Sequence, residues 1–121
     1  MKAVFAFLAA GLFTMPIGAL AGEIMSVNNM DPSCGRYYPG ASPKGDDLVK
    51  VTFVNTRDTL VWPAWINLGG FVSVVPEDIP AGGKLSTYTR VGHKWMMIDG
   101  TNWECFQNLT ISPDDRTYTV E

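Results

Sequence analysis

Several residue types are scarce in this sequence, and each scarcity excludes something. Histidine occurs once, as His93, and cysteine twice, as Cys34 and Cys105. A zinc cage needs several nitrogen and sulfur ligands brought together, which two distant cysteines and one histidine do not supply. Basic residues are few and scattered, among them Arg36, Lys44, Lys50, Lys84 and Lys94, and the net charge is −3. With no basic stripe, nucleic acid is a poor partner. No glycine loop precedes a helical pattern to cradle phosphate. A Ser–His–Asp arrangement would have to use Ser73 or Ser86 with His93 and Asp99, and neither serine sits in a nucleophile-elbow pattern. A hydrolase rests on that thin support alone. The expectation is no enzyme, no cofactor and no metal. The adjacent pairs Asp46-Asp47 and Asp114-Asp115 read as solvated turn residues, short of an oxygen cage for calcium.

Charge is also missing from Ala3 to Ala21. Lys2 precedes an apolar run, Val4 to Ala10, and Ala19-Leu20-Ala21 is a small-x-small cleavage pattern. That layout is a secretory signal peptide over residues 1–21, with a mature chain starting at Gly22 in a secreted or periplasmic location. The alternative is an uncleaved anchor or buried helix, against which Gly11, Pro16 and Gly18 interrupt a stretch already near the lower limit for a span. In an oxidising compartment a Cys34–Cys105 disulfide is the leading expectation, with two buried thiols as the alternative. Such a bridge would stabilise a thin core by about 4 kcal/mol in the chain-entropy model.

Residues 22–47 carry breaker signals at Asp31-Pro32, Tyr38-Pro39-Gly40, Ser42-Pro43 and Gly45-Asp46, and predict an irregular N-terminal arm. From Leu48 the period becomes two: Val49, Val51 and Phe53 alternate with Lys50 and Thr52. Further short strands follow over 60–67, 71–75, 84–90, 93–98, 103–111 and 116–120, separated by turn residues such as Gly69-Gly70, Gly82-Gly83 and Asp99-Gly100. Pro63 predicts an edge or bulge position for the second strand. No amphipathic helix is expected. The whole is one all-β domain over 48–121, a seven-stranded β-sandwich.

Trp62, Trp65, Trp95 and Trp103 are many tryptophans for so small a domain. Residues two apart on a strand share a face, so His93 and Trp95 point the same way. With Trp65 nearby they would form a half-polar aromatic slot of the kind that packs a proline ring against indole. Ordinary core packing is the competing reading.

The ordered set Phe53-Val54-Asn55, Pro63-Ala64-Trp65-Ile66-Asn67, Gly70, Pro76, the Pro80–Gly82 loop, Thr87-Tyr88, Gly92-His93-Lys94-Trp95 and Asp99 resembles the β domain of the von Hippel-Lindau tumour suppressor family. The match spans about half of residues 22–121, and the order and spacing of its pieces carry it. The resemblance implies a seven-stranded sandwich that recognises a hydroxyproline-containing peptide. It implies that Thr87 and His93 hydrogen-bond the ligand hydroxyl, with Trp65, Trp95 and Tyr88 around it. Val75 stands where the family has a wall tyrosine, and Thr89-Arg90-Val91-Gly92 lengthens the segment before His93. The family's helical domain for ubiquitin-ligase recruitment has no counterpart here, so that machinery is not an expected partner.

Two functions follow as expectations. One is an exported module that binds a proline- or hydroxyproline-containing peptide through Trp65, Thr87, Tyr88, His93 and Trp95. The other is a structural or cell-envelope interaction domain with no small-ligand site, in which Trp65 and His93 pack beneath the arm. The second predicts no groove, and burial of the His93 ring decides for it.

Overall fold

The structure, a computed structural model, describes residues 22–121. The expected signal segment, residues 1–21, lies outside the described residues.

Alternation of apolar and polar residues organises the chain into eight strands: β1 (Ile24–Met25), β2 (Leu48–Asn55), β3 (Val61–Ile66), β4 (Val72–Val74), β5 (Lys84–Arg90), β6 (Lys94–Asp99), β7 (Cys105–Thr110) and β8 (Thr117–Val120). They form a five-stranded sheet, β1-β4-β3-β6-β7, and a three-stranded sheet, β5-β2-β8. In the smaller sheet β5 runs antiparallel to β2, whereas β8 runs parallel to it. The fold is all-β, as the pattern predicts. The strand count is corrected from seven to eight: all seven expected strands form, and β1 is added from within the arm. A two-residue strand in a breaker-rich segment has no period to detect. The arm is also less irregular than expected, because it carries a five-residue helix, α1 (Ser33–Tyr37).

The sheets face each other across a shared core. Val49, Val51 and Phe53 of β2 and Val120 of β8 meet Val61, Trp95 and Met97 of the larger sheet. The Phe53 and Trp95 rings lie 5.1 Å apart and tilted, a favourable aromatic arrangement. The outer face of the small sheet is polar, with Thr52 and Ser86 hydroxyls 2.7 Å apart. The other face of the large sheet is not solvated. Trp62, Ala64, Ile66, Val72, Val74, Met96 and Ile98 form a second core there, covered by Met25, Val27, Met30, Tyr37 and Tyr38 of the arm. This double coverage explains why β3 and β6 read as nearly continuous apolar runs.

A disulfide joins Cys34 of α1 to Cys105 of β7, closing 71 residues of sequence separation. Beside it the Cys105 N–H donates to Ser33 Oγ (2.9 Å), and that hydroxyl donates to Asp31 Oδ1 (2.7 Å). The Ser33 hydroxyl and amide hold the Asp31 carboxyl below its ordinary value.

Two expectations need correction. Pro63 lies in β3, the central strand of its sheet, not at an edge. Its carbonyl accepts from Val75 N–H (3.0 Å), so its ring nitrogen faces the β4 side at the end of β4, where one reciprocal bond to Val75 is lost and the β3–β6 ladder is untouched. The strand expected from Trp103 begins at Cys105. Trp103 has φ +69° and closes the β6–β7 turn, its N–H donating to the Asp99 carbonyl (2.9 Å).

Candidate functional site

A cleft of about 660 Å³ opens between the two sheets at one side of the sandwich. One wall is the β1–β4 side, with Gly22 and Ser73 to Pro76. The other is the β5 side, with Leu48, Tyr88, Thr89 and Arg90. Trp65, His93 and Trp95 lie between them, and Lys44 and Leu68 complete the lining. Leu48, Leu68 and Tyr88 are exposed, which leaves the cleft with an apolar rim.

Four of the five expected residues therefore line one cleft: Trp65, Tyr88, His93 and Trp95. Thr87 does not. It shares the inward face of β5 with Leu85 and Thr89 but sits opposite Val51, farther along the strand. The cleft's hydroxyl is Thr89, which is buried. The signal for it was available in the sequence: Thr87 and Thr89 have the same parity, and the tight turn through Gly92 brings the end of β5 next to His93.

The environment of His93 decides what it offers. The ring is 6% exposed. Trp65 Nε1–H donates to His93 Nδ1 (3.1 Å), and the two rings stack at 5.6 Å. On its other side Nε2 lies 3.3 Å from the Lys44 carbonyl, which can only accept, so Nε2 carries the proton. Both nitrogens are thus committed within the protein. Trp95 is similarly engaged: it is 3% exposed and its Nε1–H donates to Thr89 Oγ1 (3.0 Å). The Thr89 O–H remains free to donate.

The arm segment that roofs His93 is held by several contacts. Ser42 is buried, and its Oγ accepts from Lys94 N–H (2.8 Å). Gly45 has φ +85°, and a Cβ there would fall 2.8 Å from His93 Nε2 and 3.0 Å from Arg90 Cβ. Only glycine permits both this backbone conformation and this approach.

The β5 wall also offers main-chain groups. Val91 N–H donates to the Asp47 carbonyl and Asn55 N–H to the Gly83 carbonyl, which sets the parity of the β2–β5 ladder. By that parity residues 85, 87 and 89 bond β2. The N–H and C=O groups of Ser86, Tyr88 and Arg90 point away from it, on an edge with no further strand. The Arg90 carbonyl accepts from His93 N–H (3.0 Å), so the groups left open beside the cleft are the Tyr88 N–H and C=O and the Arg90 N–H.

A second polar cluster lies away from the cleft. Asp99 Oδ2 accepts from Arg57 Nη2 (2.9 Å) and Thr59 Oγ1 (3.2 Å), and Oδ1 accepts from Thr101 N–H (2.7 Å) and its hydroxyl. Burial raises the Asp99 pKa, but these bonds outweigh it and lower the value to about 2. The Arg57 guanidinium lies 3.8 Å above the Phe106 ring centre. Arg57 Nε is buried without a hydrogen-bond partner, but both Asp99 oxygens are paired within the cluster, which makes it a structural clamp at the β6–β7 turn.

No family model matches this chain, and no curated protein matches it. Among the described residues there is no cluster of three or more metal-ligating side chains.

Proposed function

We propose that the protein is an exported binding module with the fold of the von Hippel-Lindau β domain, and that its cleft holds an extended peptide segment containing proline. The observation that supports this best is a conjunction: a half-buried indole, Trp65, shares one cleft with the open strand edge formed by the Tyr88 main-chain groups and the Arg90 N–H. Strand addition to a free edge and ring packing on an aromatic face are the two commonest ways of holding an extended peptide. The uncharged run from Ala3 to Ala21 supports export, and the Cys34–Cys105 disulfide is compatible with an oxidising compartment.

In this reading the proline ring packs on Trp65. A ring hydroxyl would meet the Thr89 O–H, because His93 has no free nitrogen. His93 is a positioning residue that fixes the Trp65 indole. Hydroxyproline therefore gains at most about tenfold over proline, the worth of one net hydrogen bond. Tryptophan fluorescence titration with proline, hydroxyproline and alanine versions of one short peptide tests this. Saturable binding of the first two, lost in Trp65→Ala, is expected. Absence of binding by all three contradicts it.

One observation favours a second reading, a structural or cell-envelope interaction domain. The His93 ring is buried beneath Lys44 and Gly45 of the arm. There the Trp65–His93–Lys44 chain of hydrogen bonds serves only to fasten the arm, and no small peptide binds.

A further inference from the structure

The charge of the cleft does not match the charge of the protein. The chain carries −3 overall, yet the ionisable residues among those lining the cleft are Lys44, Tyr88, Arg90 and His93, with no aspartate or glutamate. Glu23, Asp46, Asp47 and Glu77 each lie close in sequence to lining residues without joining the lining. Among the described residues, neither Lys44 nor Arg90 has a carboxylate partner, the one ion pair being Arg57–Asp99. Arg90 Nη1 donates to the Asp46 carbonyl (3.1 Å), which orients the guanidinium and leaves its other N–H groups unbonded. The close approach of Gly45 to both Arg90 and His93 places the 44–45 segment against the Arg90 wall, so the two basic residues stem from adjoining parts of the cleft's edge. On the opposite wall Gly22 N–H donates to the Val74 carbonyl (2.6 Å). A chain cleaved after Ala21 carries its α-ammonium group there, a third cation.

We infer that the cleft takes a segment that is acidic beside its proline, with the carboxylate held by Lys44 and Arg90. This rests on the peptide reading above and adds the charge of the ligand to it. An unpaired pair of cations at the edge of an apolar cleft attracts an anionic partner and repels a basic one. A guanidinium already oriented by a main-chain contact loses little freedom on binding a carboxylate. Both cations are exposed, so the preference is modest and sensitive to salt.

The test uses three labelled peptides that differ only at the residue after proline: Glu, Gln or Lys. Fluorescence anisotropy with the purified protein at low salt should give a Kd roughly five- to tenfold lower for the Glu peptide than for the Gln peptide, as expected for two exposed ion pairs. The Lys peptide should be weakest. The difference should shrink at high salt and in Lys44→Gln and Arg90→Gln. Lys44 is exposed and its side chain makes no hydrogen bond, so its variant leaves the fold intact. Equal binding of the Glu and Gln peptides would overturn this inference and leave the peptide reading standing. Absence of binding by all three would overturn both. Sedimentation showing dimers that the peptides do not displace would assign the cleft to a second copy of the chain, and would overturn it as well.

Discussion

Trp65 and His93 illustrate how a hydrogen bond can remove one function and supply another. A histidine with both nitrogens paired cannot read a ligand, but it can hold an indole in place. Strand parity made His93, Trp95 and their shared face legible in the sequence. The partners of His93 were not legible, because Lys44 and Gly45 lie in an arm with no periodicity. Gly45→Ala tests the tightness of that roof. Strain at φ +85° and the approach to His93 should together cost about 2 kcal/mol, against about 1 kcal/mol for Gly82→Ala, where φ is +72° and the space is open. Urea denaturation of both variants measures the difference, and equal costs would mean that the arm yields freely.

The same scale governs Asp99. Its pKa is about 2 in the folded protein and near 3.9 in an unfolded chain, so the folded state favours the carboxylate. The resulting stability is present above about pH 5 and is lost as pH falls through 4 toward 2. Asp99→Asn should therefore cost about 2 kcal/mol at pH 7 and progressively less near pH 2. Denaturation midpoints across that range check this. A cost independent of pH would contradict the assigned cause.

At the scale of elements, seven strands were legible: β2 and β5 through period-two alternation, because each buries one face, and β3 and β6 as apolar runs bounded by turn residues, because both their faces are covered. Patterning failed where it is not the determinant. β1 is two residues long and is set by its partner β4. Pro63 is tolerated in a central strand because its missing N–H falls at the end of β4, where one bond to Val75 is lost, a fact about a neighbouring strand that no local rule contains. The arm gains its order from the bridge between α1 and β7, assisted by Asn108 Nδ2–H donating to the Tyr37 carbonyl (2.7 Å). Replacing both cysteines by alanine should destabilise the fold by about 2–4 kcal/mol. Hydrogen exchange in that variant should rise first in residues 26–38 and not in β2 or β5. Uniform loss of protection would show that the arm and sandwich unfold as one unit.

For the whole molecule, the arm converts a two-sheet sandwich into three layers and leaves one side of the inter-sheet space open. Composition argued against a nucleic-acid partner, and ordered motifs pointed to the Trp65–His93–Trp95 side. The sequence alone did not show that Thr89 rather than Thr87 faces the cleft, nor that two unpaired cations flank it. Both depend on how β5 ends relative to the arm. The cleft's edge at Tyr88 and Arg90 is the feature on which the proposed peptide binding turns.

The most direct measurement is an amide and indole NMR titration with a proline-containing peptide carrying glutamate after the proline. The account predicts shifts at the Tyr88 and Arg90 N–H groups and at Trp65 Nε1–H, with the outer-face residues Thr52, Thr117 and Thr119 unmoved. Shifts confined to other surfaces, or none at saturating peptide, would contradict it.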